Sequence, residues 1–240
     1  MSTPGSLAGL ETFDTLNIAY EHAYRNNPFK VTCVKEAISL LPHSSRILDV
    51  GCGTGIPVSR MLSDAGLEVH GFDIAPKMVQ LASSRVKGAF VVSDMLTYQP
   101  KGQFAAVFMI FAHLQMHYPE FHAACYKFAQ ALQPGGLFVI GQMPGDRYLP
   151  IGDPSYDETG SYVEDYSAPF MGEMLPTFMM SAEGQRGFLR SMGFEIVSET
   201  IDSFQPDNPV CVPEDQQYII ARKSGAEIGM PEPLPKAKVN

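Results

Sequence analysis

The residues best able to do chemistry in this chain fall into two stretches. The first is Asp49-Val50-Gly51-Cys52-Gly53-Thr54-Gly55, with Asp73 following at a spacing of about twenty residues. Glycine lacks a Cβ, so a glycine-rich turn between a strand and a helix lets the backbone lie close against a ligand while the helix N–H groups point at it. A carboxylate at the end of the next strand is placed to bind both ribose hydroxyls of an adenosine. Together these residues predict a nucleoside-bearing ligand. The second stretch is Phe111-Ala112-His113-Leu114-Gln115-Met116-His117. Histidine is the side chain that ordinarily exchanges its proton near neutrality. His113 and His117, with Gln115 between them, are therefore the candidates for moving a proton or orienting a second reactant.

The elements that must position these residues follow from the hydrophobic periodicity. An opening of small polar residues reads as unstructured up to Leu10 or Phe13, and Leu16, Ala19, Tyr20, Ala23 and Tyr24 then recur at helical spacing from Asp14 to near Asn26-Asn27-Pro28. A second helix is expected from about Val31 to Leu41. Strands at 46–50, 68–72, 89–92, 104–110 and 137–141 then alternate with helices at 56–65, 76–86 and 119–132, and Pro134-Gly135-Gly136 marks a turn. The stretch Phe104 to Ile110 is apolar almost throughout, as a strand covered on both faces must be. A helix at 182–192 and strands at 194–204 and 217–221 complete the pattern. This alternation predicts an α/β fold: a doubly wound, mostly parallel seven-stranded sheet with helices on both faces. Between 144 and 180 the alternation lapses and Pro150, Pro154, Pro169 and Pro176 interrupt any long element, so that segment reads as an ordered insertion after the fifth strand. The expected organisation is a helical lid over 1–45, a core over 46–223 carrying the insertion 144–180, and a disordered tail over 224–240.

Composition narrows the function classes. The chain has 240 residues, 45% hydrophobic and 18% charged, enough for one sizeable globular domain. A formal charge of −9 repels a phosphate backbone, so no nucleic-acid partner is expected. No polybasic run or long apolar span calls for a membrane. The four cysteines, Cys33, Cys52, Cys125 and Cys211, are widely spaced and read as free thiols in a cytoplasmic protein.

The dinucleotide fingerprint GxGxxG is not met here, because Gly51, Gly53 and Gly55 are spaced as GxGxG. The stretch Ile47-Leu48-Asp49-Val50-Gly51-Cys52-Gly53-Thr54-Gly55 closely resembles motif I of the class I S-adenosylmethionine-dependent methyltransferases. Gly71-Phe72-Asp73-Ile74-Ala75-Pro76-Lys77-Met78 resembles that family's second motif, Ser93-Asp94-Met95 its adenine-bracketing turn, and Leu132-Gln133-Pro134-Gly135-Gly136 the turn before its fifth strand. The resemblance covers about Arg46 to Ile140, and implies a Rossmann-like fold whose last strand enters antiparallel. It implies S-adenosyl-L-methionine as the cofactor, leaving as S-adenosyl-L-homocysteine. It further implies that Asp49 orients the loop and the donor's amino group, that Gly51, Cys52 and Gly53 lie against the methionine moiety, and that Asp73 holds the ribose. Ile74 and Met78 would flank the adenine, Asp94 would accept from its exocyclic amine, and the Met95 N–H would reach a ring nitrogen. Tyr20 and Phe111 would complete the donor's surroundings.

Methyl transfer from a sulfonium needs alignment and exclusion of water, and a general base only where the acceptor is still protonated. Related enzymes often carry a histidine after the fourth strand; here the nearest equivalent position is Gln115, flanked by His113 and His117. Phe13 and Tyr24 from the lid, with Phe170, Met171, Met174 and Phe178 from the insertion, would form an adaptable apolar wall. The expected acceptor is therefore an apolar or aromatic small molecule, a specialised metabolite methylated on oxygen or nitrogen. No Asn-Pro-Pro-Tyr or Asp-Pro-Pro-Tyr clamp follows the fourth strand. Asp94 alone stands as an oxygen ligand near the acceptor, so no metal is expected. A non-methylating donor-binding protein or cyclase on the same fold is the alternative, and methylation of a protein the third reading. The chain is expected to act as a monomer or homodimer.

Overall fold

The computed structural model describes residues 4–225. One sheet holds seven strands: β1 (Arg46–Val50), β2 (Glu68–Asp73), β3 (Ala89–Val92), β4 (Phe104–Ile110), β5 (Leu132–Gln142), β8 (Phe194–Phe204) and β9 (Glu214–Lys223), in the order β3-β2-β1-β4-β5-β9-β8. The pairings from β3 through β5 are parallel, and the last strand, β9, runs antiparallel to both of its neighbours, β5 and β8. The sequence order of the strands reverses between β1 and β4, and a doubly wound sheet offers its ligand crevice at the carboxyl ends of the strands at such a point.

Alternation along each strand builds two cores. Ile47, Ala106, Phe108, Val139 and Ile220 face one way, against Cys33, Val34 and Ala37 of α2 (Pro28–Ser39) and Leu62 of α3 (Val58–Asp64). Leu48, Val107, Met109, Phe138 and Ile219 face the other, against Phe121, Cys125 and Phe128 of α5 (Tyr118–Ala131) and Phe188 and Leu189 of α6 (Ala182–Ser191). The fourth strand is buried on both faces, which is why it reads as a continuous apolar run. The helix α4 (Pro76–Arg85) covers β2 and β3.

Several boundaries differ from the sequence reading for identifiable reasons. The first helix, α1, runs from Pro4 to Tyr24 rather than starting near Asp14, with a break at Asn17 where φ is 20°. Phe13, Tyr20, Ala23 and Tyr24 dock it onto the domain. Helix α2 starts at Pro28, not Val31: the Asn27-Pro28 pair read as a stop is an N-cap followed by proline at the first helical position. The expected Pro134-Gly135-Gly136 turn lies inside β5, where the pairing jumps from Phe104–Leu132 to Ala106–Leu137. The insertion contains a 3-10 turn, Gly145–Arg147, and a hairpin of β6 (Tyr162–Phe170) and β7 (Glu173–Met180). Pro169 and Pro176 argued against strands there, but each strand of a two-stranded ribbon has one unpaired edge, where a missing N–H is tolerated. Of the tail expected over 224–240, all but Ser224 and Gly225 lies outside the described residues.

Asn27 joins α2 to the sheet. Its side-chain oxygen accepts from the N–H groups of Phe29 (3.0 Å) and Lys30 (3.1 Å), and its amide donates to Gln216 Oε1 (2.6 Å) and the Tyr218 hydroxyl (3.1 Å). Replacing it with alanine removes a cap and orphans buried partners. Asn27→Ala should lower the unfolding free energy by about 2–4 kcal/mol in urea titrations.

Candidate active site

The loop after β1 crosses the carboxyl ends of the strands where their order reverses. At Gly51 φ is +65°, and a Cβ there would stand 2.5 Å from that of Ala112 after β4, so no larger residue fits. At Gly53 φ is +53° and a Cβ would meet nothing within 4 Å, because the backbone there borders the crevice. The Gly53 N–H donates to Asp73 Oδ2 at 2.9 Å, and the Ala75 N–H donates to Oδ1 at 2.9 Å. These bonds fix the carboxylate at the end of β2 and the start of α4. Burial raises the Asp73 pKa, against the pull of the N–H groups of Ala75, Gly53 and Ile74.

Most of the residues read as donor contacts meet here. Gly51, Gly53, Asp73, Ile74, Met78 and Met95 line the crevice, and Tyr20 and Phe111 close it from the lid and from the end of β4. Phe111 holds φ at +56°, a conformation a phenylalanine rarely adopts, and its N–H donates to Gly141 O. Asp49, Cys52 and Asp94 lie just behind the lining. Asp49 is on the α2 and α3 face of β1, accepts from the Ser59 hydroxyl, and has its pKa raised to about 7, chiefly by burial. Cys52 donates its N–H to Phe72 O, and burial pushes its thiol up. Asp94 Oδ1 accepts from the Leu96 N–H at 2.8 Å, whereas its buried Oδ2 has no partner. A buried carboxylate oxygen without a donor is costly, and an exocyclic amine in the crevice would satisfy it. Glycines bordering open space, a fixed carboxylate and an orphaned acceptor thus fit an adenosine-bearing donor.

A second chamber opens beside the first and shares Phe13, Tyr20, Phe111 and Gln115 with it. The Gln115 side chain makes no hydrogen bond with the described residues. Tyr24 and Phe170 join Phe13 and Tyr20 in an aromatic cluster, with ring centroids 4.8 Å apart for Tyr20 and Tyr24 and 5.7 Å apart for Phe13 and Phe170. The lid is latched outside the chamber: Lys77 of α4 pairs with Asp14 at 3.0 Å, and Arg85 with the buried Glu21 at 2.8 Å.

The other predicted acceptor residues lie elsewhere. Phe178 is buried between Phe121, Tyr162 and His113 in the core beneath the hairpin. Met174 is 57% exposed at the hairpin end, and Met171 packs on the outside of the aromatic cluster. Of the hairpin's apolar residues only Ala168, Pro169, Phe170 and Leu175 line the chamber, which an unassigned insertion could not reveal. His113 is wholly buried, lines neither chamber, and has both ring nitrogens unpaired; burial lowers its pKa to about 3. His117 is exposed at the start of α5, 3.4 Å from Asp165. Neither histidine therefore reaches the junction of the chambers, where Gln115 stands.

Several positions escaped the sequence reading. Lys127 donates to the carbonyls of Met95 and Leu96 and so holds the turn after β3. Glu214 and Gln216, at the start of β9, face the second chamber with Thr177. Lys30 is buried in α2, its ammonium 5.8 Å from the Phe111 ring centre. The i, i+2, i+4 spacing of Glu214, Gln216 and Tyr218 was the available signal, a polar face on an inward strand.

Residues 47–136 match the family of the methyltransferase domain. They form a class I, Rossmann-like methyltransferase domain. The chain is similar to human methyltransferase-like protein 27, 33% identical over 128 residues covering 49% of this chain and 48% of that protein. It is also similar to an S-adenosyl-L-methionine-dependent Diels-Alderase of Neonectria sp. strain DH2, 32% identical over 172 residues covering 67% of this chain and 63% of that protein. The chain thus spans less than two thirds of the length of either relative. A crystal structure of magnesium protoporphyrin IX methyltransferase from Synechocystis PCC 6803 with bound SAH superposes with a TM-score of 0.64 at 18% identity, over 92% of this chain and 100% of that one. At that identity the likeness is one of fold. Among the described residues of this methyltransferase-domain chain, no three His, Cys, Asp or Glu side chains gather to hold a metal, and no helix is long and apolar enough to cross a membrane.

His113 gives a pH signature. Its folded pKa, about 3, lies below its ordinary value of 6.5, so between those values the unfolded chain binds a proton that the folded chain refuses. Stability should fall as pH drops through that window. At pH 5 this loss is roughly 2 kcal/mol relative to pH 7.5. In His113→Leu that component should disappear, as read from urea titrations at the two pH values.

Proposed function

We propose that this chain transfers the methyl group of S-adenosylmethionine to an apolar or aromatic small molecule, on oxygen or nitrogen. The observation that carries the reading is the adjacency of the two chambers: a crevice with the fittings for an adenosine-bearing donor opens, across Phe111 and Gln115, onto an aromatic chamber. When bound, S-adenosylmethionine supplies a sulfonium-activated methyl group. Asp73 accepts from the ribose hydroxyls, Ile74 and Met78 flank the adenine, and Asp94 Oδ2 takes its missing hydrogen bond from the exocyclic amine. Asp49, through the loop it supports, orients the methionine end against Gly51 and Gly53.

The remaining work is alignment and exclusion of water. Phe13, Tyr20, Tyr24 and Phe170 cover the junction, and Gln115 offers it an uncommitted amide. Such a closed aromatic chamber suits a specialised metabolite better than a protein segment. Four free cysteines accord with a cytoplasmic setting. The similarity to a Diels-Alderase favours a second reading, in which the donor is held but its methyl is not transferred. Incubation with methyl-labelled donor and candidate acceptors separates the two readings, since only the first releases S-adenosylhomocysteine.

Calorimetric titration with S-adenosylmethionine and with S-adenosylhomocysteine tests the donor site. Both should bind, and Asp73→Ala should weaken both by about 10- to 100-fold, the worth of hydrogen bonds to a charged group. A folded sample that binds neither ligand overturns the reading.

A further inference from the structure

The second chamber is lined largely by apolar and aromatic side chains, with Gln115 and Thr177 on its wall and Glu214 and Gln216 where β9 begins. Glu214 stands there, 7% exposed, and every described hydrogen bond it makes is accepted by it. The Tyr24 hydroxyl donates to Oε1, and Gln216 Nε2 donates to Oε2 at 3.1 Å. Gln216 cannot turn its amide round without loss, because its oxygen already accepts from Asn27 Nδ2 at 2.6 Å and from the Tyr218 hydroxyl at 2.7 Å. The network therefore runs one way, from Asn27 and Tyr218 through Gln216 to Glu214. A carboxylate has about four lone-pair positions. Two are filled, and none of the described hydrogen bonds fills the others.

The charge around the carboxylate decides which ligand suits it. Lys30 sits behind the wall, its ammonium 5.9 Å from the Tyr24 ring centre and 5.8 Å from that of Phe111. Glu214 and Asp49 both hold that ammonium in its charged form, against the burial that lowers its pKa to about 8. One ammonium thus stands in the field of two buried carboxylates, Glu214 and Asp49. Without Lys30, an aromatic chamber with one buried carboxylate would attract a cationic ligand. With Lys30, an added ammonium would meet a positive charge already set against the Tyr24 and Phe111 rings and would forfeit its own hydration. A neutral O–H or N–H donor pays far less to enter and fills the vacant lone pair.

We infer that the second chamber binds neutral planar molecules that present a hydrogen-bond-donating hydroxyl or N–H to Glu214, and discriminates against their methyl ethers and against quaternary ammonium ions. This deepens the methyl-acceptor reading and rests on it, since it names the chemical class that the acceptor side takes.

The test compares three probes, 2-naphthol, 2-methoxynaphthalene and benzyltrimethylammonium, each titrated with and without saturating S-adenosylhomocysteine. The chain contains no tryptophan, so naphthol emission is read without indole overlap. The expected result is that 2-naphthol binds at least about ten-fold more tightly than its methyl ether and more tightly than the ammonium ion. In Glu214→Gln that preference should shrink to less than about three-fold, while S-adenosylhomocysteine still binds as in the parent. Equal affinity for naphthol and ether in the parent, preference for the ammonium ion, no uptake of any probe, or an undiminished preference in Glu214→Gln would each overturn the inference. Should the variant fail to fold, the parent's own preference between naphthol and ether decides. Failure of S-adenosylhomocysteine to bind counts against the donor site alone, because the probe comparison is also made without it.

Discussion

The candidate site is organised around the hydrogen bond from the Gly53 N–H to the Asp73 carboxylate. It ties the loop after β1 to the end of β2, so two adjacent strands present one rigid rim. The other Asp73 oxygen accepts from Ala75 and sets the entry to α4. That helix in turn supplies Lys77 and Arg85, which pair with Asp14 and Glu21 and hold α1 in place. The rings of Phe13, Tyr20 and Tyr24 thus owe their position over the chambers to a turn that bears none of them. The Gly51 and Gly53 conformations are a condition of this arrangement, since one admits the approach of Ala112 and the other keeps the rim open.

Buried polar groups divide the site into finished and unfinished parts. The Asn27, Gln216 and Tyr218 network is satisfied within the protein and connects α2 to β9. Asp94 Oδ2 is not satisfied, and lies beside the turn that Lys127 braces through the carbonyls of Met95 and Leu96. Satisfied networks rigidify and orphaned atoms ask for a partner, so the distribution itself separates scaffold from binding surface. His113 illustrates the limit of that rule. Both its nitrogens are unpaired, yet it packs against Phe121 and Phe178 in the core, away from both chambers.

The donor side was legible because it is local. Gly51, Gly53, Asp73, Ile74 and Met95 sit at strand ends and turns that follow one another along the chain, so spacing alone brings them to one rim. The sheet order follows similarly from the alternation of strands and helices, with right-handed crossovers leaving few arrangements. The acceptor side draws on α1, the end of β4, the hairpin and the start of β9, which are far apart in sequence. Tyr24 and Glu214, joined by a hydrogen bond, are 190 residues apart.

The sequence by itself determined the class of fold, the rim that Gly51, Gly53 and Asp73 form, and the apolar character of the lid and insertion, because glycine conformation, strand-end geometry and hydrophobic period are properties of short segments. Only the tertiary structure decided that Phe178 and His113 belong to the core while Phe170 and Gln115 face the chambers, and that Glu214, with no histidine, lines the second chamber. The reason is that the direction of a side chain from a loop or a short ribbon depends on what packs against its other face, and for these residues the packing partners lie outside their own segments.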